Sequence, residues 1–456
     1  MNKRILGLAL PNIVTNITVP LLGMVDMAIV GHLSSAHIGA ITIGTSIFNL
    51  IYWNFGFLRM GTSGFTAQAY GAGRMDEAVK TLVRALAIAV GIALLLIVLQ
   101  WPLSLLVPVV FEASDSVMRM ALTYFFVRIW AAPATLGLYA IKGWFIGMQD
   151  SKTPMWIAIF LNCVNIVGSL LFVLGLHWDI AGVALGTVVA NYSGLFLGII
   201  LLRRKFRHLN SQYGTQASSL RMSTLNFQLS TIKSALRWAD MRRFFKVNGD
   251  IFLRTVCLSA VFSFITAASG RISDEILAID AILLQFFTLF SYIMDGFAYA
   301  GESLVGRYIG ARQRDNLRSA VRLLLAWGLA LTVVFTVLYA FFNSQFLHLF
   351  TDDETLIAAT GDYLGWVLAI PVCGFAAFLF DGIFIGATAS RTMRNAMFVA
   401  TAAFFSLYFG LKLLAGQSLD AYRWNNILWL SFMVYLSLRG LLQGLRVHKD
   451  IYSQAS

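Results

Sequence analysis

The chain has 456 residues, 58% of them apolar and only 12% charged, with a formal net charge of +12; soluble domains are about half apolar and a quarter charged. That much apolar surface cannot be hidden from water inside a soluble body, so the composition excludes a soluble protein and points to a membrane one. The Lys and Arg residues fall in short clusters between apolar runs. The positive charge is therefore a topology signal and not a nucleic-acid-binding face.

About twenty mostly apolar residues cross the hydrocarbon of a bilayer, and twelve such spans are expected, near 8–33, 43–70, 80–107, 118–147, 152–175, 181–203, 241–268, 276–308, 316–342, 359–388, 393–414 and 422–446. The first follows Lys3-Arg4 directly and runs past residue 30 with Pro11, Pro20 and Asp26 inside it. A signal peptide has a shorter apolar core, so this stretch is read as an uncleaved span. Residues 204–240 are polar and basic, following Arg203 with Arg204, Lys205 and Arg207. They are read as a linker between a first lobe, 1–203, and a second, 241–446, with a tail at 447–456. Basic residues such as Arg74, Lys80, Arg84, Lys152, Arg312, Arg314, Arg391 and Arg394 then gather on the side of the N-terminus, which places both termini in the cytoplasm.

The two halves resemble each other at an offset of 239. Gly31-His32-Leu33-Ser34 matches Gly270-Arg271-Ile272-Ser273, Gly71-Ala72 with Asp76 matches Gly310-Ala311 with Asp315, and Gly143-Trp144-Phe145-Ile146-Gly147 matches Gly382-Ile383-Phe384-Ile385-Gly386. Six helices separate equivalent positions, so the repeats run parallel. Transporters built this way rock two halves about a site between them. The fold class expected is all-α, with twelve transmembrane helices in two pseudo-symmetric six-helix bundles.

Charges inside spans are costly and mark function by default. Asp26 lies late in the first span, after Pro11 and Pro20, which bend a helix and free its carbonyls. Burial disfavours the charged form of a carboxyl, so Asp26 suits a coupling proton or cation. Asn165 and Ser169 share a helix face, and with Thr187 they offer further oxygens. Lys142, whose repeat equivalent is Asp381, is a candidate partner of Asp26 or a structural cation. In the second half Asp295, Tyr299 and Glu302 line one face of the eighth span and, with Asp381, form a candidate acidic cluster, for which Arg59 is a candidate counter-charge. Asp250 and Arg254 are spaced as a structural i,i+4 ion pair. Cys163, Cys257 and Cys373 lie in apolar segments without metal-ligand spacing, so neither a disulfide nor a metal site is expected. Phosphate-binding loops and hydrolase motifs are likewise not found in the sequence, which gives ATP-driven transport no support.

Several motifs resemble the multidrug and toxic compound extrusion (MATE) family, and within it the branch of the DNA-damage-inducible protein F. They are Leu8-Ala9-Leu10-Pro11, Val19-Pro20-Leu21-Leu22-Gly23-Met24-Val25-Asp26, Ile29-Val30-Gly31-His32-Leu33, Phe57-Leu58-Arg59-Met60, Asp295-Gly296-Phe297-Ala298-Tyr299-Ala300 and Asp381-Gly382-Ile383-Phe384-Ile385-Gly386-Ala387-Thr388. The resemblance implies two six-helix bundles around a V-shaped cavity. It implies export of amphipathic or cationic organic compounds against inward H+ or Na+, with no other cofactor, in the plasma (inner) membrane, by a monomer surrounded by lipid. It also implies that Asp26 is the first-helix acid, that Pro11 is the proline of its bend, and that Asn165 and Thr187 belong to the same pocket. Two positions depart from the family pattern. Ser169 stands where many relatives have an aspartate, and Lys142 stands where an apolar residue is expected. The expected function is cation-coupled export. The alternatives are a lipid-linked precursor flippase and, more remotely, a membrane-embedded lipid-modifying enzyme.

Overall fold

A computed structural model of the chain describes residues 1–31, 34–111, 113–213, 234–415 and 420–455, and among these every regular element is a helix. The first half contains α1 (Asn2–Gly31), α2 (Ser35–Asn54), α3 (Phe57–Gly71), α4 (Met75–Val98), α5 (Gln100–Val110), α6 (Asp115–Arg128), α7 (Ala132–Gly147), α8 (Lys152–Leu170) and α9 (Asp179–Tyr213). The second contains α10 (Trp238–Ile272), α11 (Asp274–Gly310), α12 (Arg314–Phe350), α13 (Glu354–Gly361), α14 (Leu364–Gly386), α15 (Ser390–Ala415), α16 (Ala421–Gly444) and the short α17 (Val447–Asp450). Among the described residues eleven helical segments are long and apolar enough to cross a membrane. With the 30-residue α1, they make the twelve transmembrane helices of the fold. Side chains such as Leu413 and Leu414, each 84% exposed, suit lipid tails and not water.

Local chemistry repeats with the sequence. Ser34 and Ser273, 239 residues apart, both stand in extended backbone before the second helix of their half. Their hydroxyls accept from the backbone N–H of His37 and Ile276, satisfying donors that a helix start leaves open. The left-handed backbone of Gly73 recurs at Arg312, and that of Gln149 at Thr388, each just after a helix that the turn closes.

The fourth spans pack through their repeated glycines. A Cβ on Gly147 would stand 2.6 Å from Thr66 Cβ and 2.7 Å from the Ser63 carbonyl oxygen of α3. A Cβ on Gly386 would stand 2.5 Å from the Glu302 carbonyl oxygen of α11. One turn earlier, Gly143 meets the Arg59 backbone and Gly382 the Ala298 backbone. Ser63 and Glu302, like Arg59 and Ala298, are themselves 239 apart. Lipid gives helices little hydrophobic reason to associate, and small residues that let backbones approach supply the packing instead.

The chain divides into two compact units, Leu10–Asn248 and Met1–Ala9 with Gly249–Ser456. The division therefore falls inside the first helix of each half, at positions 239 apart, and not at the expected lobe limits of 203 and 241. The start of α1 packs within the later unit: Arg4 Nη1 donates to Tyr308 Oη at 3.3 Å and Trp327 Nε1 donates to Asn2 Oδ1 at 3.3 Å. The earlier unit has a core of Trp144, Phe145, Phe206 and Leu82, with Trp144 Nε1 donating to the Ala78 carbonyl.

The stretch expected as a linker from residue 204 begins as helix: α9 carries Arg203, Arg204, Lys205 and Arg207 on to Tyr213. These residues favour helix, and Lys205 reaches Asp150 at 3.4 Å. At the far end Arg84 holds the Ala235 carbonyl at 2.8 Å and Asp240 at 3.5 Å. Residues 214–233 lie outside the described residues, as do His32 and Leu33 of the first repeat motif. The ninth span, expected to end at 342, continues to Phe350 through non-helical backbone at Phe342.

Candidate functional site

In the earlier unit, Asp26 lies near the end of α1 with only 4% of its surface exposed. Ser169 Oγ on α8 donates to Asp26 Oδ1 at 3.2 Å. One turn back, Asn165 Nδ2 donates to Thr187 Oγ1 on α9 at 3.1 Å, and Thr187 Oγ1 donates to the Val183 carbonyl. Asn165, Ser169 and Thr187 are all buried. Asn165 Oδ1 is buried with no hydrogen-bond donor, an acceptor left over one turn from the serine that meets the acid. The four residues singled out from the sequence thus form one polar group on three helices. Asn162 Nδ2 donates to the Thr18 carbonyl at 2.9 Å and Asn12 Nδ2 to Ser151 Oγ at 3.0 Å, tying α1 to α8 and the turn before it. Pro11 and Pro20 both lie inside α1, which is helical from Asn2 to Gly31.

Arg128 joins this group. It donates to Tyr124 Oη, stands over the Phe48 ring with 5.0 Å to the centroid, and acts electrostatically on Asp26. Its position within the fourth span was the available signal, but the sequence does not show that α6 turns it toward α1.

Lys142 is not the partner of Asp26. Its electrostatic neighbour is another cation, Arg59, against whose backbone the adjacent Gly143 packs. Depth is the reason. Lys142 lies five residues before the end of α7, and Ser169, bonded to Asp26, seventeen residues beyond the start of α8. The connection between these helices is short, so at about 1.5 Å per residue the two levels differ by about 18 Å.

The later unit corrects one further expectation. Asp250 and Arg254 do not pair. Arg254 Nη2 binds Asp381, while Asp250 is held by Arg394 Nη1 at 2.6 Å and Ser390 Oγ at 2.8 Å. Asp381, expected in an acidic cluster with Asp295 and Glu302, is itself held by basic and amide groups. Besides Arg254, it accepts from Arg439 Nη2 at 2.7 Å and Gln443 Nε2 at 2.9 Å, and Asp295 acts electrostatically on Arg439. Glu302 is buried, and Asp295 and Tyr299 are half-buried. The centre is one of mixed charge. A lone buried carboxylate is too costly to keep, and two arginines answer it. Arg439 and Gln443 are four apart on α16, and charge within the last span was the sign of them. Cys163, Cys257 and Cys373 are free thiols.

The family model described as MatE matches residues 11–171 and 251–410. The chain belongs to the MatE family. The two matched stretches end at Leu171 and Gly410, 239 residues apart, so they are the two repeats. The chain is 35% identical to the DNA damage-inducible protein F of Escherichia coli (strain K12), over 96% of this chain and 90% of that protein. It is 21% identical to the multidrug resistance protein MdtK of Edwardsiella ictaluri (strain 93-146), over 98% of this chain and 94% of the other. A crystal structure described as MATE in the bent conformation superimposes with a TM-score of 0.83 at 16% identity, over 100% of this chain and 97% of that one. MatE proteins are transporters, so this chain is a multi-pass membrane transporter and not an enzyme.

Proposed function

We propose that this MatE transporter is a secondary active exporter that expels small amphipathic organic compounds in exchange for inward H+, with Na+ the alternative coupling ion. The reading rests most on the Asp26 group: a buried carboxyl meets Ser169, with the spare acceptor of Asn165 nearby. A single carboxyl suffices to carry a proton. A sodium ion needs several oxygens, for which Asn165, Ser169 and Thr187 are the candidates. Loading of Asp26 removes the charge that Arg128 and Ser169 answer, which changes what α1 holds and gives that helix two arrangements. Relatives named as multidrug resistance proteins support small organic cargo. We place the protein in the plasma (inner) membrane as a functional monomer with both termini cytoplasmic, driven by an ion gradient and not by ATP.

The test is efflux from proteoliposomes under imposed proton or sodium gradients, with cationic dyes and anionic amphiphiles as cargo. Asp26→Asn abolishes gradient-driven efflux on this reading. Intact coupled efflux in that variant overturns it, and sodium dependence at fixed pH moves the coupling to Na+.

A further inference from the structure

The later unit holds a second buried acid that the coupling reading does not use. Asp280, on α11, is 1% exposed, and among the described residues no basic side chain lies within ion-pair distance of it. Its Oδ1 accepts from Asn425 Nδ2 at 2.8 Å and from Trp429 Nε1 at 2.7 Å, both on α16. Its Oδ2 meets Ser269 Oγ near the end of α10.

Ser269 Oγ also lies 2.8 Å from the Ile265 carbonyl oxygen, and a hydroxyl has one proton to give. If Ser269 donates to Ile265, its contact with Asp280 brings two oxygens together with no hydrogen between them. If it donates to Asp280, the contact with Ile265 lacks one instead. One further proton, on Asp280 Oδ2, resolves both: Asp280 donates to Ser269, and Ser269 donates to Ile265. Oδ1 is then the carbonyl oxygen of a neutral acid and accepts from Asn425 and Trp429. Asn425 turns Nδ2 to Asp280 and leaves its own Oδ1 buried without a donor, which fixes Oδ1 of Asp280 as an acceptor and leaves Oδ2 as the oxygen that carries the proton.

We propose that Asp280 is a proton-binding site of the later unit and carries its proton in this conformation. The position equivalent to Asp26 is Ile265, whose carbonyl ends the Asp280–Ser269 chain. Each unit thus has a buried carboxyl meeting a serine at the level of Asp26 or Ile265, but in the later unit the acid comes from the next helix. Tyr363, just before α14, acts electrostatically with Asp280. The other charged groups at the same ends of the surrounding elements are Asp362, Asp274, Glu275, Arg271, Asp420 and Arg423, the last two paired at 3.6 Å; Asp250, Arg254, Asp295, Glu302, Arg307 and Arg439 stand further along the same helices. A proton entering the site comes from water, with no other reactant needed. The proposal rests on hydrogen-bond geometry and stands or falls independently of Asp26.

The test is infrared difference spectroscopy of the purified full chain at about pH 8, where exposed carboxyls are ionised. Wild type minus Asp280→Asn is expected to show an un-ionised carboxyl C=O band, and Asp26→Asn is expected to retain that band. Trp429→Phe, which removes a donor to Oδ1, is expected to shift the band to higher wavenumber, and it serves if Asp280→Asn does not fold. A change confined to ionised-carboxylate bands in either variant overturns the proposal.

Discussion

Arg254 binds Asp381 across two helices, although Asp250 lies one turn before it on its own helix. Side chains four apart on a helix pair weakly. Here Arg394 and Ser390 meet Asp250, and Arg254 joins Arg439 in answering the buried Asp381. Removing one partner of a buried ion pair costs about 3–5 kcal/mol, because the other charge is left behind. Asp381→Asn, which strands Arg254 and Arg439, is therefore expected to lower stability by that amount in unfolding measurements in detergent. A double-mutant cycle is expected to give Arg254 and Asp381 a coupling of about 0.5–3 kcal/mol, and Arg254 and Asp250 almost none. The reverse ranking would refute the pairing.

The repeated glycines make a paired prediction. Gly147→Ala and Gly386→Ala each drive a methyl into backbone atoms of the neighbouring helix, and overpacking of this kind costs about 1–3 kcal/mol. Gly7→Ala is the control, since a Cβ there meets nothing within 4 Å. It is expected to be neutral or stabilising by up to about 1 kcal/mol, the difference in helix propensity. Thermal unfolding of the three variants decides it: equal effects of Gly147→Ala and Gly7→Ala would mean that the close approach is not what Gly147 provides.

The span pattern and the 239-residue offset were legible because both are written in composition and register, and twenty apolar residues admit few readings in a membrane. The Asp26, Asn165, Ser169 and Thr187 group was legible for a similar reason, as few polar residues occur in those spans. Pairing between helices was not. Lys142 and Asp26 are both first-half charges, but depth separates them, and sequence does not carry depth. Arg439, Gln443 and Asp280 lie in spans read for their apolar content, and their partners are remote in sequence. The offset also concealed Asp280, since it aligns that acid with Ile41, while its nearest analogue in place is Asp26. A repeat conserves backbone more strictly than it conserves which helix supplies a charge.

Arg312 occupies the left-handed backbone that Gly73 occupies in the first repeat. Its side chain is exposed, so little packing is lost by removing it. A non-glycine residue there costs about 1–2 kcal/mol, and glycine returns part of that gain as unfolded-state entropy. Arg312→Gly is expected to stabilise by about 0.5–1 kcal/mol, and Gly73→Ala to destabilise by a similar amount. A lower melting temperature for Arg312→Gly would show that the arginine makes a contact worth more than the strain.

Asp353 gives a prediction for pH. It lies outside the spans and caps α13, its Oδ1 accepting from Thr355 Oγ1 at 2.6 Å and from the backbone N–H of Thr355 and Leu356 at 3.0 and 3.3 Å. The Thr355 hydroxyl, followed by the two backbone donors, holds its carboxyl below the ordinary value of 3.8. A depressed folded value means the cap's contribution is complete above the unfolded value and is lost as pH falls through the folded one. Protection of the first α13 amides against hydrogen exchange, corrected for intrinsic rates, is therefore expected to hold down to about pH 4 and to fall below it. Asparagine caps as well as aspartate but does not titrate in this range. Asp353→Asn is therefore expected to keep the protection and lose its acid dependence, whereas the same acid loss in that variant would assign the effect to another group.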